Sequence, residues 1–232
     1  MLCKIADFYV EVPAVGDMQE RCAAYITQDQ RQPDIVIREE DFEPQRWEGC
    51  SNEMICYMET ARLFYWDILR LGGMMLHSAA VEYEGRAYLF SGPSTVGKST
   101  HTRLWRDVFG EAVQFFNDDK PALRCMDGIW YAYGTPWCGK DGINQNKKVP
   151  VAGICYLKQA ESNAIRSLDM KEASIYTICQ STRRLPVAEK MIHLLAIVDA
   201  LVKQVPMYEL ANRPEPAAAR LSYETMRAGS KV

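Results

Sequence analysis

Gly92-Pro93-Ser94-Thr95-Val96-Gly97-Lys98-Ser99 fits G-x-x-x-x-G-K-[ST] at every position, and the rest of the chain is read outward from it. A random chain of this length would match roughly once in a hundred, so the flanking sequence has to support the match. It does. The apolar run Ala87-Tyr88-Leu89-Phe90 enters the loop as a predicted strand, and Thr102 to Phe109 leaves it as a predicted helix. Glycines let such a loop wrap closely, so that successive N–H groups point at anionic oxygens. The start of the helix near Lys98 adds its positive dipole end. Lys98 supplies a full cation, and Ser99 supplies a hydroxyl for Mg²⁺. The candidate phosphate-binding residues are therefore Gly92, Ser94, Thr95, Val96, Gly97, Lys98, Ser99 and Thr100, with ATP and Mg²⁺ as the expected cofactors. The loop reads phosphates rather than the base, so ATP and GTP are not distinguished.

On the upstream side, Met75 to Tyr83 and Arg86 to Phe90 flank Glu84-Gly85 as two strand-like runs around a turn. The strand before the loop is thus expected to pair antiparallel with its predecessor, which predicts a mixed sheet and puts His77 on the neighbouring strand. On the downstream side, Val113-Gln114-Phe115-Phe116-Asn117 is an apolar strand ending in Asp118-Asp119. Phosphoryl transfer needs a carboxylate near the metal and often another to orient the nucleophile. Asp118 and Asp119 are the candidate catalytic residues, and Ser99 and Asp118 the candidate metal ligands.

With these residues in view, the chain resembles the kinase domain of HPr kinase/phosphorylase, a P-loop fold related to phosphoenolpyruvate carboxykinase. The resemblance covers about residues 74–160 and rests on Leu76-His77-Ser78-Ala79, Ser91 through Thr100, and Asn117-Asp118-Asp119. It implies an α/β fold: a mixed-sheet P-loop kinase domain with flanking helices. It also implies transfer of a γ-phosphate to a hydroxyl, such as a serine, of a peptide, small protein or small molecule. By that likeness Asp118 is the base, His77 supports it, and Asp119 orients the acceptor or meets the metal. Relatives of this kind often form homo-oligomers. The chain departs from the family in its shorter N-terminal part and in lacking a recognisable later arginine-bearing loop. The reverse phosphorylase reaction and the HPr substrate are therefore not carried over. Two other readings stay open: a non-enzymatic nucleotide sensor, and carboxykinase-like chemistry on an organic acid.

The chain has 232 residues, 48% of them hydrophobic and 25% charged, which excludes disordered and collagenous classes. Its net charge of -3 argues against a nucleic-acid partner. No apolar run approaches the ~18 residues of a membrane span, and Met1 to Asp7 does not read as a signal peptide. A cytoplasmic protein without a membrane partner is expected. The 8 cysteines show no Cys-x-x-Cys spacing and read as free thiols rather than zinc ligands. Residues 1–52 look like a small strand-rich module ahead of a kinase-like domain over 53–232, with one continuous domain as the alternative. Strands are predicted at Asp7 to Val12 and Ile35 to Ile37, and helices over 53–71, 186–204 and 215–227. Arg183-Arg184 reads as a solvated pair, and His193 as structural. The long polar stretch Tyr133 to Lys148 is a candidate functional loop in which Lys140, Lys147 or Lys148 could meet phosphate or an acidic substrate.

Overall fold

In chain order the elements of the computed structural model are β1 (Leu2–Ile5), β2 (Phe8–Glu11), α1 (Met18–Arg21), β3 (Ile35–Val36), α2 (Asn52–Asp67), β4 (Gly73–Met75), β5 (Ser78–Tyr83) and β6 (Arg86–Ser91). Then come α3 (Lys98–Phe109), β7 (Gln114–Asn117), β8 (Ala122–Met126), β9 (Ile129–Tyr133), β10 (Lys148–Gln159), β11 (Ala164–Ser167), α4 (Met170–Cys179), α5 (Ala188–Gln204), β12 (Met207–Asn212) and α6 (Pro216–Gly229). The structure describes residues 1–181 and 188–232. Arg183-Arg184 and the expected helix start at Pro186 lie outside the described residues.

The hairpin before the loop forms as expected. Glu84 and Gly85 have φ of 53° and 72°, the left-handed pair that matches strand twist in a two-residue turn. β5 and β6 pair antiparallel from Ser78–Ser91 to Tyr83–Arg86. On its other edge β6 pairs parallel with β10, and β5 pairs antiparallel with β7. The main sheet runs β4-β8-β9-β10-β6-β5-β7, with β12 parallel on β10 and β11 antiparallel on β12. The fold is thus mixed α/β.

Side-chain alternation explains the layering. Leu89, Ile154 and Tyr156 pack into one core with Leu194, Val198 and Leu201 of α5. Their strand neighbours Tyr88, Phe90, Cys155 and Leu157 point the other way, into a core with Trp105 of α3 and Tyr223 of α6. The Trp105 ring lies 4.8 Å from Tyr88, 5.3 Å from Phe90 and 5.6 Å from Tyr223. A central strand buried on both faces needs a continuous apolar run, which is why Ala87 to Phe90 does not alternate. The first residues form their own small sheet, β1-β2-β3. Cys3, Ile5, Val10 and Ile35 share a core with Tyr57, Ala61, Phe64 and Ile68 on and just after α2.

Some expectations need correcting. His77 lies in the connection between β4 and β5, not on a strand. The long helix turns only Leu194, Ile197, Val198 and Leu201 inward; Met191 and Leu195 of the expected stripe are exposed. His193, expected beside that stripe, is half-exposed and lies 3.7 Å from Glu189. Seven cysteines, at 3, 22, 50, 56, 125, 138 and 155, carry free thiols. No described helix is long and apolar enough to cross a membrane.

His101, one turn into α3, gives a test of the packing. Its Nε2 lies 3.0 Å from Ser222 Oγ, and its Nδ1 is buried without a partner among the described residues. Burial pushes its pKa down to about 3. The unfolded chain takes up this proton below about pH 6.5, whereas the folded chain resists it. Stability from this group is therefore complete above that pH and is lost as pH falls toward the folded value. Between pH 7 and 5 the expected loss is about 2 kcal/mol. Urea unfolding of wild type and His101→Gln at both pH values should show the extra slope in wild type only.

Candidate functional site

β6 ends at Ser91, whose hydroxyl donates to the His77 carbonyl at 2.9 Å. The chain then turns away through Gly92 at φ 143°, where a Cβ would meet Val96 Cγ1 at 3.0 Å and the Leu157 carbonyl oxygen at 3.3 Å. Only glycine allows this exit. Gly97, at φ 107°, caps α3 in the left-handed region. Between them Ser94 and Thr95 are exposed, and the Thr95 hydroxyl donates to the Ser94 carbonyl at 2.5 Å. Val96 packs on the aromatic core beneath. Lys98 is buried, and its ammonium donates to the carbonyls of Gly92 at 3.1 Å and Pro93 at 3.2 Å. Burial holds its pKa below the usual lysine range, with the negative charge of Asp119 pulling the other way. Ser99 is half-buried at the start of α3. Thr100 is exposed and lines neither of the hollows described next.

The two carboxylates diverge because of Asn117. Its buried side-chain carbonyl accepts the N–H groups of Asp119 at 3.1 Å and Lys120 at 2.8 Å, and its amide donates to the Thr135 carbonyl at 3.1 Å. Asp118 accepts the backbone N–H groups of Gly139 at 2.5 Å and Asp141 at 3.3 Å. A Cβ at Gly139 would sit 2.9 Å from Asp118 Oδ2, so this approach requires glycine. Burial raises the Asp118 pKa, and these backbone donors oppose the shift. Asp118 lines a small hollow together with Ser99, Thr102 and Arg103 of α3.

Asp119 turns the other way. His77 Nε2 lies 3.3 Å from its Oδ1, and the Lys120 ammonium bonds its Oδ2. Burial pushes the Asp119 carboxyl up, but the His77 bond and the Lys120 charge outweigh it and hold the group well below the usual carboxylate range. His77 Nδ1 lies 3.2 Å from Gln180 Oε1, so the ring is held from both sides. Lys120 also donates to Tyr57 Oη at 2.8 Å. Asp119, His77 and Ser94 line a second, larger hollow of about 530 Å³, whose far wall is the face of α2.

His77 was expected to support Asp118; the structure joins it to Asp119, because the Asn117 turn sends the two carboxylates to opposite sides. Lys147 and Lys148 do not reach the loop. Lys147 pairs with Glu82 at 2.7 Å and Lys148 with Asp7 at 2.8 Å, while Lys140 is exposed. The stretch 134–148 contributes backbone instead, through the N–H groups that hold Asp118. Asn117 was a mark of the resemblance but was given no role, and Lys120, Gln180 and Gly139 were not singled out from the sequence. The signal for Asn117 and Lys120 was available: an Asx residue ending a strand, and a cation beside paired acids.

Three or more His, Cys, Asp or Glu side chains grouped to hold a metal do not occur among the described residues. Mg²⁺ ordinarily uses one or two protein ligands and completes its shell with phosphate oxygens and water. Ser99 and Asp118, sharing one hollow, fit that protein share. The glycine cradle at 92–97 and a buried ammonium resting on two neutral carbonyls fit a polyphosphate.

No family model matches the chain, and no curated protein matches it. Among solved structures, the HPr(Ser) kinase/phosphatase from Coxiella burnetii is similar at TM-score 0.37 and 12% identity, over 66% of this chain and 97% of that one. So loose a likeness carries none of the steps below.

Proposed function

We propose that the chain is an ATP- and Mg²⁺-dependent kinase that phosphorylates a hydroxyl. The observation that carries this reading is the division of the carboxylates: Asp118 shares a hollow with Ser99, and Asp119 shares the larger one with Ser94 of the loop. The loop amides and Lys98 hold the β and γ phosphates, and Ser99 and Asp118 face the metal. Mg²⁺, when bound, neutralises phosphate charge.

In this reading the base role moves from Asp118 to Asp119. The acceptor oxygen bonds to the γ-phosphorus as the bond to the bridging oxygen breaks, and the hydroxyl proton passes to Asp119. A carboxylate held so far into its ionised form is a weak base. It acts chiefly by orienting the hydroxyl, and takes the proton as the oxygen becomes acidic in the transition state. His77 and Lys120 fix its direction.

The experiment is incubation with γ-labelled ATP, Mg²⁺ and a panel of peptides, sugars and small alcohols, alongside equilibrium nucleotide binding. A labelled, acid-stable product is expected. Tight nucleotide binding with no product from any acceptor would instead favour a sensor.

A further inference from the structure

Tyr57 lies on α2 at helical spacing from Ala61, Phe64 and Ile68, and its ring is buried with theirs in the core shared with the N-terminal sheet. Packing alone would accept phenylalanine there; the hydroxyl serves something else. It donates to the Cys138 carbonyl at 2.9 Å and accepts from the Lys120 ammonium at 2.8 Å. The Cys138 carbonyl and the Gly139 N–H belong to one peptide unit, and that N–H holds Asp118 at 2.5 Å. Lys120 in turn bonds Asp119. One hydroxyl thus stands between the two carboxylates that Asn117 sends apart. The donors on this path all point one way, from the ammonium through the hydroxyl and the peptide to Asp118, and bonds in such a chain polarise one another. Burial pushes the Tyr57 pKa up to about 12, against the pull of Lys120, so the hydroxyl keeps its proton at neutral pH. Arg21 of α1 braces the same joint. Its guanidinium lies 4.7 Å from the Tyr57 ring centroid, and its Nη1 donates to Cys138 Sγ at 3.3 Å.

We infer that Tyr57 is a positioning residue for phosphoryl transfer, which holds Asp118 toward the metal through the 138–139 peptide and Asp119 toward the acceptor through Lys120. This rests on the kinase reading above. In that reading the metal and the acceptor are served from opposite sides of the Asn117 turn, so transfer needs the two carboxylates held in a fixed relation. Asn117 sets the backbone between them. The Tyr57 hydroxyl joins the groups that aim their side chains. Outer partners of this kind, which orient a ligand without touching the metal, change metal affinity or activity about tenfold to a hundredfold when removed.

Tyr57→Phe keeps the ring and removes the joint. In the full chain without ligand, amide exchange at Gly139 should quicken about tenfold, while the β6 amides keep their protection. With a non-hydrolysable ATP analogue present, Mn²⁺ affinity, read by electron paramagnetic resonance, should fall about tenfold. The same change made in the Asp118→Asn chain should weaken Mn²⁺ little further, because Tyr57 acts through that carboxylate; a merely structural loss would add in full. At saturating metal the single-turnover rate should fall about tenfold, and the change should cost little more in the Lys120→Met chain. Should Tyr57→Phe not fold, Tyr57→3-fluorotyrosine keeps the hydroxyl and makes it the stronger donor, so Gly139 exchange should slow. Wild-type Gly139 exchange and Mn²⁺ affinity in Tyr57→Phe overturn the inference, as do equal losses with and without the Asp118 carboxylate; in the fluorinated chain, unchanged exchange overturns it. Faster Gly139 exchange in a Tyr57→Phe chain whose parent binds neither nucleotide nor Mn²⁺ would remove the kinase reading and leave the hydroxyl joint standing.

Discussion

Asp119→Asn should lower the single-turnover rate of phosphoryl transfer about a thousandfold at saturating ATP, and leave nucleotide affinity within a few fold. The size follows from the role. A positioned carboxylate that takes the hydroxyl proton contributes roughly 10²–10⁴ in rate, and the amide keeps the shape but cannot accept the proton. Asp118→Asn should behave differently, because Asp118 faces Ser99: its loss should raise the Mg²⁺ concentration needed for half-maximal rate. One complication has a structural cause. Lys120 is half-buried, and its ammonium bonds both Asp119 and Tyr57. Removing the Asp119 charge leaves that cation without its counter-ion, which is destabilising in a partly buried pair. The double variant Asp119→Asn/Lys120→Met restores neutrality; because Lys120 also fixes the carboxylate's direction, its rate is compared with that of Lys120→Met alone, and a further large drop isolates the chemical role. Near-normal transfer by either Asp119 variant would return the base to Asp118 or remove it from both.

The parts of this site that were legible in the sequence are those whose geometry is local. The loop needs Gly92 to escape a clash with Val96 four residues on, and Gly97 to enter α3, so spacing alone identifies it. The Glu84-Gly85 turn sets the β5–β6 register within six residues, which made the mixed sheet predictable. What failed was non-local. Adjacent aspartates look equivalent in sequence. They separate because Asn117 is tied to Thr135 and because the Gly139 and Asp141 amides, more than twenty positions away, capture Asp118. His77 finds Asp119 for the same reason. The acceptor-side wall was invisible because its buried acid, Glu59, sits on a helix read only for its apolar stripe, and its partners Trp47, Arg62 and the Glu43 N–H meet only on folding. The lysines of the 134–148 stretch misled because charge was legible there and pairing with Glu82 and Asp7 was not.

Lys98→Met should reduce triphosphate affinity about a hundredfold or more while leaving the melting temperature equal to or above that of wild type. The two halves have one cause. In the folded chain the Lys98 ammonium is buried and holds two neutral carbonyls, Gly92 at 3.1 Å and Pro93 at 3.2 Å, with no carboxylate in contact among the described ion pairs. Burying a cation on such partners costs stability, and its lowered pKa records that cost. Methionine fills a similar stem volume without the charge, so the fold gains or breaks even. The ligand loses in the same exchange. Charge-assisted bonds to phosphate oxygens are worth about 1.5–3 kcal/mol each, and two of them account for a hundredfold or more. Lys98→Arg would not rescue binding, because a planar guanidinium cannot occupy the space between the two carbonyls as a compact ammonium does. Calorimetric titration with ATP and thermal unfolding on the same samples test both halves together. Unchanged affinity in Lys98→Met would show that the loop does not hold phosphate, and a large drop in melting temperature would show that this lysine serves the fold rather than the ligand.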